Sequence, residues 1–236
     1  METSTHNNWK IVKLGGSILV PEFADGKLLS EFREIILSRV ELGEKFIIMI
    51  GGGYVCRKYQ EALVDAGVSD YESQNWMGVF TTRFNAEFIR LGFGDTAHPE
   101  ILVSPDALPE NIEHSIIVCG ADQPGRSSNY DAVLFARNTG AKQVINLSNI
   151  DYVYNADPQA NPDAIKYPEV SWAQYRTFIP TEFTPGLSTP FDPVASERAQ
   201  ALDIDVVFMK GSPIQNLKNY LETGEVEGSV ISNRFE

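Results

Sequence analysis

Twice near its start, the chain runs from an apolar stretch into a glycine turn and then into a helix-like stretch. Trp9 to Leu14 leads into Gly15-Gly16-Ser17, and Phe46 to Ile50 leads into Gly51-Gly52-Gly53. Glycine lets the backbone come close to an oxyanion, and a helix start supplies free N–H groups and the positive end of a dipole. Lys13 adds a cation to the first turn. Arg57 lies one helical turn beyond Gly53, so its side chain can fold back over the second. Two such units predict two anionic groups held side by side, as phosphoryl transfer requires.

The rest of the chain alternates apolar and amphipathic runs. The spacing predicts strands over 11–14, 46–50, 101–103, 116–119, 143–147 and 205–209. It predicts helices over 27–41, 55–66, 83–91, 131–139, 194–202 and 214–221. This order predicts an α/β fold, with a mostly parallel central sheet covered by helices on both faces. Ligands bind beyond the carboxyl ends of the strands in such sheets, where both glycine turns fall. Prolines 158, 162, 168, 180, 185, 190 and 193 predict long loops over 155–193, a rim rather than a linker. The 236 residues fit one domain over 1–236, with 1–9 flexible.

Charge and composition narrow the function. A net charge of −13 disfavours nucleic acid or an anionic membrane as partner. An anionic substrate must then be captured by local cations, which singles out those beside the glycine turns. No apolar run approaches the roughly 18–20 residues of a membrane span, and the polar start lacks a signal-peptide centre. A cytoplasmic location is expected. Cys56 and Cys119 read as reduced structural thiols, and His6, His98 and His114 are scattered, with no metal cluster and no Ser-His-Asp pattern.

Six segments in order resemble the amino acid kinase family, and within it the uridylate kinases of the archaeal type. They are KLGGS (13–17), GGGYVCRKY (51–59), MGVFTTRFNA (77–86), PG…YDAVLFA (124–136), SNIDYVYNADP (148–158) and FDPVASERA (191–199). The resemblance implies the amino acid kinase fold, a three-layer α/β/α sandwich. It implies transfer of the γ-phosphoryl of ATP to a nucleoside monophosphate, most specifically UMP. Mg²⁺ would be held mainly by the phosphates. It also implies a homo-oligomer, such as a hexamer, with small-molecule nucleotides as partners.

The same resemblance assigns residues. Lys13, Arg57 and Asp131 are the catalytic set, with Asp131 orienting the lysine. Gly15, Gly16, Ser17 and Gly53, with Lys13 and Arg57, hold ATP phosphates, while Ser148, Asn149, Tyr154 and Asp157 match the adenine and ribose site. Gly52, Asn75, Gly78, Gln123, Gly125, Ser128, Asn129 and Tyr130 fall on the acceptor side. Asp131 as a helix cap and Asp157-Pro158 as a plain turn are the structural alternatives. Departures gather at the acceptor. Asn75 stands where the family has Asp, Asn129-Tyr130-Asp131 stands for Thr-Thr-Asp after a longer loop, and Tyr152 replaces a glycine. Another small acceptor, or a catalytically weak binding or storage protein, are the alternatives.

Overall fold

The computed structural model describes residues 8–109, 111–183 and 189–236. In chain order its regular elements are β1 (Trp9–Leu14), α1 (Gly16–Leu19), α2 (Gly26–Val40), β2 (Lys45–Ile50), α3 (Gly53–Asp65) and α4 (Tyr71–Phe93). Then come β3 (Ile116–Cys119), α5 (Ser128–Thr139), β4 (Gln143–Ser148), β5 (Val153–Tyr154), β6 (Lys166–Tyr167), β7 (Glu169–Val170) and α6 (Trp172–Tyr175). The chain closes with α7 (Pro193–Ala201), β8 (Asp205–Lys210), α8 (Gln215–Thr223) and β9 (Gly228–Ile231).

One sheet has the order β3-β2-β1-β4-β8-β9-β7. Its first five strands are mutually parallel; β9 pairs antiparallel with β8, and β7 parallel with β9. β5 and β6 form a separate antiparallel ribbon. The central strands are near-continuous apolar runs because helices cover both their faces. Alternate residues serve opposite layers. Ile11, Met49, Val144 and Phe208 share a core with Phe135 of α5, Trp172 of α6 and Ala195 of α7. Val12, Ile48, Ile145 and Met209 share the other with Phe32 of α2, Ile89 of α4 and Leu217 of α8. The expected α/β/α sandwich is therefore present. The same alternation sends Lys13 and its register partner Asn146 toward α5 and α7.

Several expectations need correction. α4 is 23 residues long, far more than 83–91. Asp70 caps it by accepting from the Ser73 N–H at 2.8 Å. Its buried polar residues interrupt the apolar period, Asn75, Thr82 and Asn85 because they face the cleft and its loops, Gln74 and Thr81 because they bond nearby backbone carbonyls. Residues 101–103 form no strand; Leu102 makes a single bridge to Cys119. Trp9 is buried within β1, so it does not belong to a flexible start. The 155–193 rim contains β6, β7 and α6, and 184–188 lie outside the described residues.

Candidate active site

The two glycine turns touch backbone to backbone. The Gly51 N–H donates to the Leu14 carbonyl at 3.0 Å, which brings the second turn against the end of β1. A Cβ on Gly16 would lie 2.7 Å from the Gly51 carbonyl carbon and overlap the Gly53 nitrogen. Gly53 has φ +67°, and a Cβ there would sit 2.8 Å from the Gly16 Cα. Only glycine permits this approach. Asn85 of α4 fixes the second turn by donating through Nδ2 to the Gly51 and Gly52 carbonyls at 3.0 and 3.1 Å. Arg57 reaches across and donates through Nη2 to the Ser17 Oγ at 3.2 Å, bridging the turns. Gly15 departs from its expected role: its N–H donates to the Leu147 carbonyl at 3.0 Å, so it anchors the turn to β4 rather than offering a phosphate donor.

Arg57→Ala is expected to raise KM, lower kcat, or both, by about 10-fold or more, since a charge-assisted contact is worth about 1.5–3 kcal/mol. Steady-state kinetics with both substrates varied checks it. Unchanged constants would make Arg57 a surface residue.

Lys13 sits beside this junction on β1. Burial pushes its ammonium down to about 8, with the nearby Asp192 carboxylate opposing that shift. The Asp192 carboxylate is thus a charge that supports the ammonium form of Lys13. Asp192 caps α7, accepting from the Ala195 N–H at 3.0 Å and from the Ser127 hydroxyl. Asp131 is fully buried, and burial raises its carboxyl to about 7. The Asp122 N–H and the Arg126 charge pull it back, and the Asp122 and Asp192 carboxylates push it further up. Its Oδ2 accepts from the Asp122 N–H at 3.4 Å, while its Oδ1 has no hydrogen-bond partner among the described residues. Asp131 is not a cap, because Ser127 caps α5 by accepting from the Tyr130 N–H at 3.0 Å. A buried carboxyl with a free oxygen and a carboxylate neighbour is a strained group of the kind found in active sites.

Between 3.8 and about 7 the folded chain holds a proton on Asp131 that the unfolded chain has lost. Stability therefore falls as pH rises through that window, and above it the buried charge costs of order 1–4 kcal/mol. Asp131→Asn is expected to melt higher than the parent at pH 8, with the gap closing toward pH 5, and to turn over more slowly. A variant that melts lower at pH 8 would contradict this assignment.

A cleft of about 200 Å³ opens from the second glycine turn. Gly52, Gly53, Cys56 and Arg57 form one side, and Gln60, Asn75, Gly78, Val79 and Thr82 line it from α3 and α4. Ala121, Arg126, Ser127, Ser128 and Phe183 close it. Of the expected acceptor residues, Gly52, Asn75, Gly78 and Ser128 are brought together here. Gln123, Gly125, Asn129 and Tyr130 do not line the cleft. Gly125 (φ +81°) makes the turn, Asn129 is buried, and Tyr130 packs on the core with the Arg126 guanidinium 5.7 Å above its ring. Asn75 donates through Nδ2 to the Tyr71 carbonyl at 2.7 Å, which leaves its Oδ1 to accept.

A model of the amino acid kinase family matches residues 8–210. The chain belongs to the amino acid kinase family. A uridylate kinase of Methanobrevibacter smithii is 30% identical over 227 residues, spanning 94% of this chain and 98% of its own. One from Hyperthermus butylicus is 28% identical over 226 residues, spanning 94% and 97%. The solved uridylate kinase from Archaeoglobus fulgidus matches with a TM-score of 0.79 at 27% identity, over 94% of this chain and 100% of that one. A UMP kinase from Bacillus anthracis, at 20% identity and TM-score 0.76 over 96% of each chain, supports the fold alone.

In this amino acid kinase the remaining expected ATP residues lie at the carboxyl end of β4 (Ser148) and beyond it, and do not line the cleft. The Ser148 carbonyl accepts from the Gly211 N–H at 2.8 Å, and its hydroxyl donates to the Asn149 Oδ1 at 3.4 Å. The Tyr154 hydroxyl donates to Asp151 at 3.3 Å. Asp157 accepts from the Gln159 N–H at 2.9 Å within its own turn. Sequence reasoning missed Asp192, although the FDP segment flagged its neighbourhood. It also missed the work of α4. Arg83 donates to the Ala121 and Asp122 carbonyls at 3.0 and 2.7 Å, and the Thr82 Oγ1 accepts from the Ala121 N–H at 3.0 Å. With Asn85, these residues of the TRFNA segment hold both loops of the site in place. They do not line the cleft, apart from Thr82.

Proposed function

We propose that the protein is an ATP-dependent nucleoside monophosphate kinase acting on UMP. The observation that carries this reading is the backbone contact between the two glycine turns, with Lys13 beside the junction. Desolvated Lys13 and the glycine cradle fit polyphosphate oxygens. ATP, entering as its Mg²⁺ complex, lays its phosphates on the turn at Gly16 and Ser17. The base and ribose lie toward Ser148, Asn149, Tyr154 and Asp157. The acceptor phosphate sits in the cleft by Gly52, Gly53 and Arg57. An acceptor oxygen attacks the γ-phosphorus as the bond to ADP breaks, and Lys13 neutralises the moving phosphoryl. The Asp192 carboxylate favours the charged form of Lys13. A nucleoside monophosphate has mostly lost its second proton at neutral pH, so no general base is needed.

The curated relatives are named uridylate kinases, which favours UMP. Asn75 lines the cleft, and its Oδ1 can accept from a ribose hydroxyl as an aspartate would. Self-association is supported by an exposed apolar stripe on α4. There Trp76 and Phe80 stack at 5.4 Å, and Phe84, one turn on, is 72% exposed. A hexamer in the cytoplasm, serving pyrimidine nucleotide synthesis, is the fuller form of this reading. Among the described residues no helix is long and apolar enough to cross a membrane. Titration calorimetry with UMP, CMP, AMP, GMP and amino acids tests the acceptor. UMP is expected to bind tightest. No binding at millimolar UMP, with ATP bound, would overturn the uridylate reading.

A further inference from the structure

We propose that Arg126 is a second cation for the phosphate of the acceptor, facing Arg57 across the cleft. Among the described residues these are the two cationic side chains that line it. In a chain of net charge −13, capture of a dianion depends on such local groups.

Arg126 is held in position from behind. Its Nη1 donates to the Asp122 Oδ2 at 3.1 Å. With the Gln123 amide oxygen turned toward it, Gln123 accepts from Nε at 3.3 Å and Nη2 at 3.1 Å. The ring of Tyr130 supports the guanidinium. Asp122 is itself fixed, its carbonyl by Arg83 and its N–H by Asp131. A guanidinium has five N–H donors, and these partners use three. One on each terminal nitrogen of the guanidinium fork is left for phosphate oxygens. Arg126 also lowers the Asp131 carboxyl, which places its charge within reach of the reacting centre. This arrangement explains the longer loop over 123–130. Gln123 and Tyr130 do not read the acceptor themselves but hold the residue that does.

The proposal rests on the nucleotide reading above, and the test separates the two. UMP and uridine are titrated into the full-length parent and into Arg126→Gln and Arg126→Lys. In Arg126→Gln the ratio of UMP to uridine affinity is expected to fall about 10- to 100-fold, the loss of a charged hydrogen-bonded contact. Arg126→Lys, which keeps the charge but not the fork, is expected to fall between the two. Melting curves confirm that both variants are folded. An unchanged ratio overturns the proposal, whether because neither affinity moves or because both fall together, as they would if Arg126 read the base. A parent that does not bind UMP overturns the nucleotide reading, and this proposal with it.

Discussion

Lys13→Ala is expected to fold like the parent and to lose about 10²–10³ of kcat, the usual loss on removing one preorganised charge contact at a transition state. The fold should survive because the ammonium is a cost to it. Burial pushes the group down to about 8, so the folded chain disfavours the charge that catalysis needs. Above about 8 the lysine is neutral and below it is charged. The parent's kcat/KM should therefore fall as pH rises through about 8, and Lys13→Ala should lack that limb. A variant with near-parental kcat on UMP, or an unchanged alkaline limb, would remove Lys13 from the reaction.

Gly16→Ala is expected to be nearly as damaging, by a different route. The new methyl would lie 2.7 Å from the Gly51 carbonyl carbon, and backbone cannot step aside as a side chain can. The turns must separate. Displacing two bound phosphates by about 1 Å costs on the order of 10²-fold in rate. Overpacking of this kind also costs about 1–3 kcal/mol of stability. Steady-state kinetics and urea melts read both effects. Gly26→Ala is the control, because a Cβ there meets nothing within 4 Å. If Gly16→Ala behaves like Gly26→Ala, the close contact is not functional.

Much of this was legible in the sequence where local pattern and global fold agree. The apolar runs at β1, β2, β4 and β8 and the glycine turns after β1 and β2 mark themselves. Strand parity then carries Lys13 to the α5 and α7 face. The long helix α4 was half hidden, because buried Asn75, Thr82 and Asn85 face loops and cleft and break its period. Asp192, passed over in the sequence, caps α7. That its charge also reaches Lys13 depends on α7 packing beside α5, a contact between segments far apart in the chain. Tyr130 showed the opposite error. It was expected on the acceptor side, but the turn at Gly125 delivers Arg126 to the cleft and Tyr130 to the core.

The most direct measurement is to incubate the purified protein with Mg²⁺, γ-labelled ATP and UMP and to separate the nucleotides. If two phosphates lie side by side at the facing glycine turns, with Lys13 beside the junction, label appears in the β-phosphate of UDP and is lost in Lys13→Ala. ATP and UMP both bound, with no label in UDP, would contradict it.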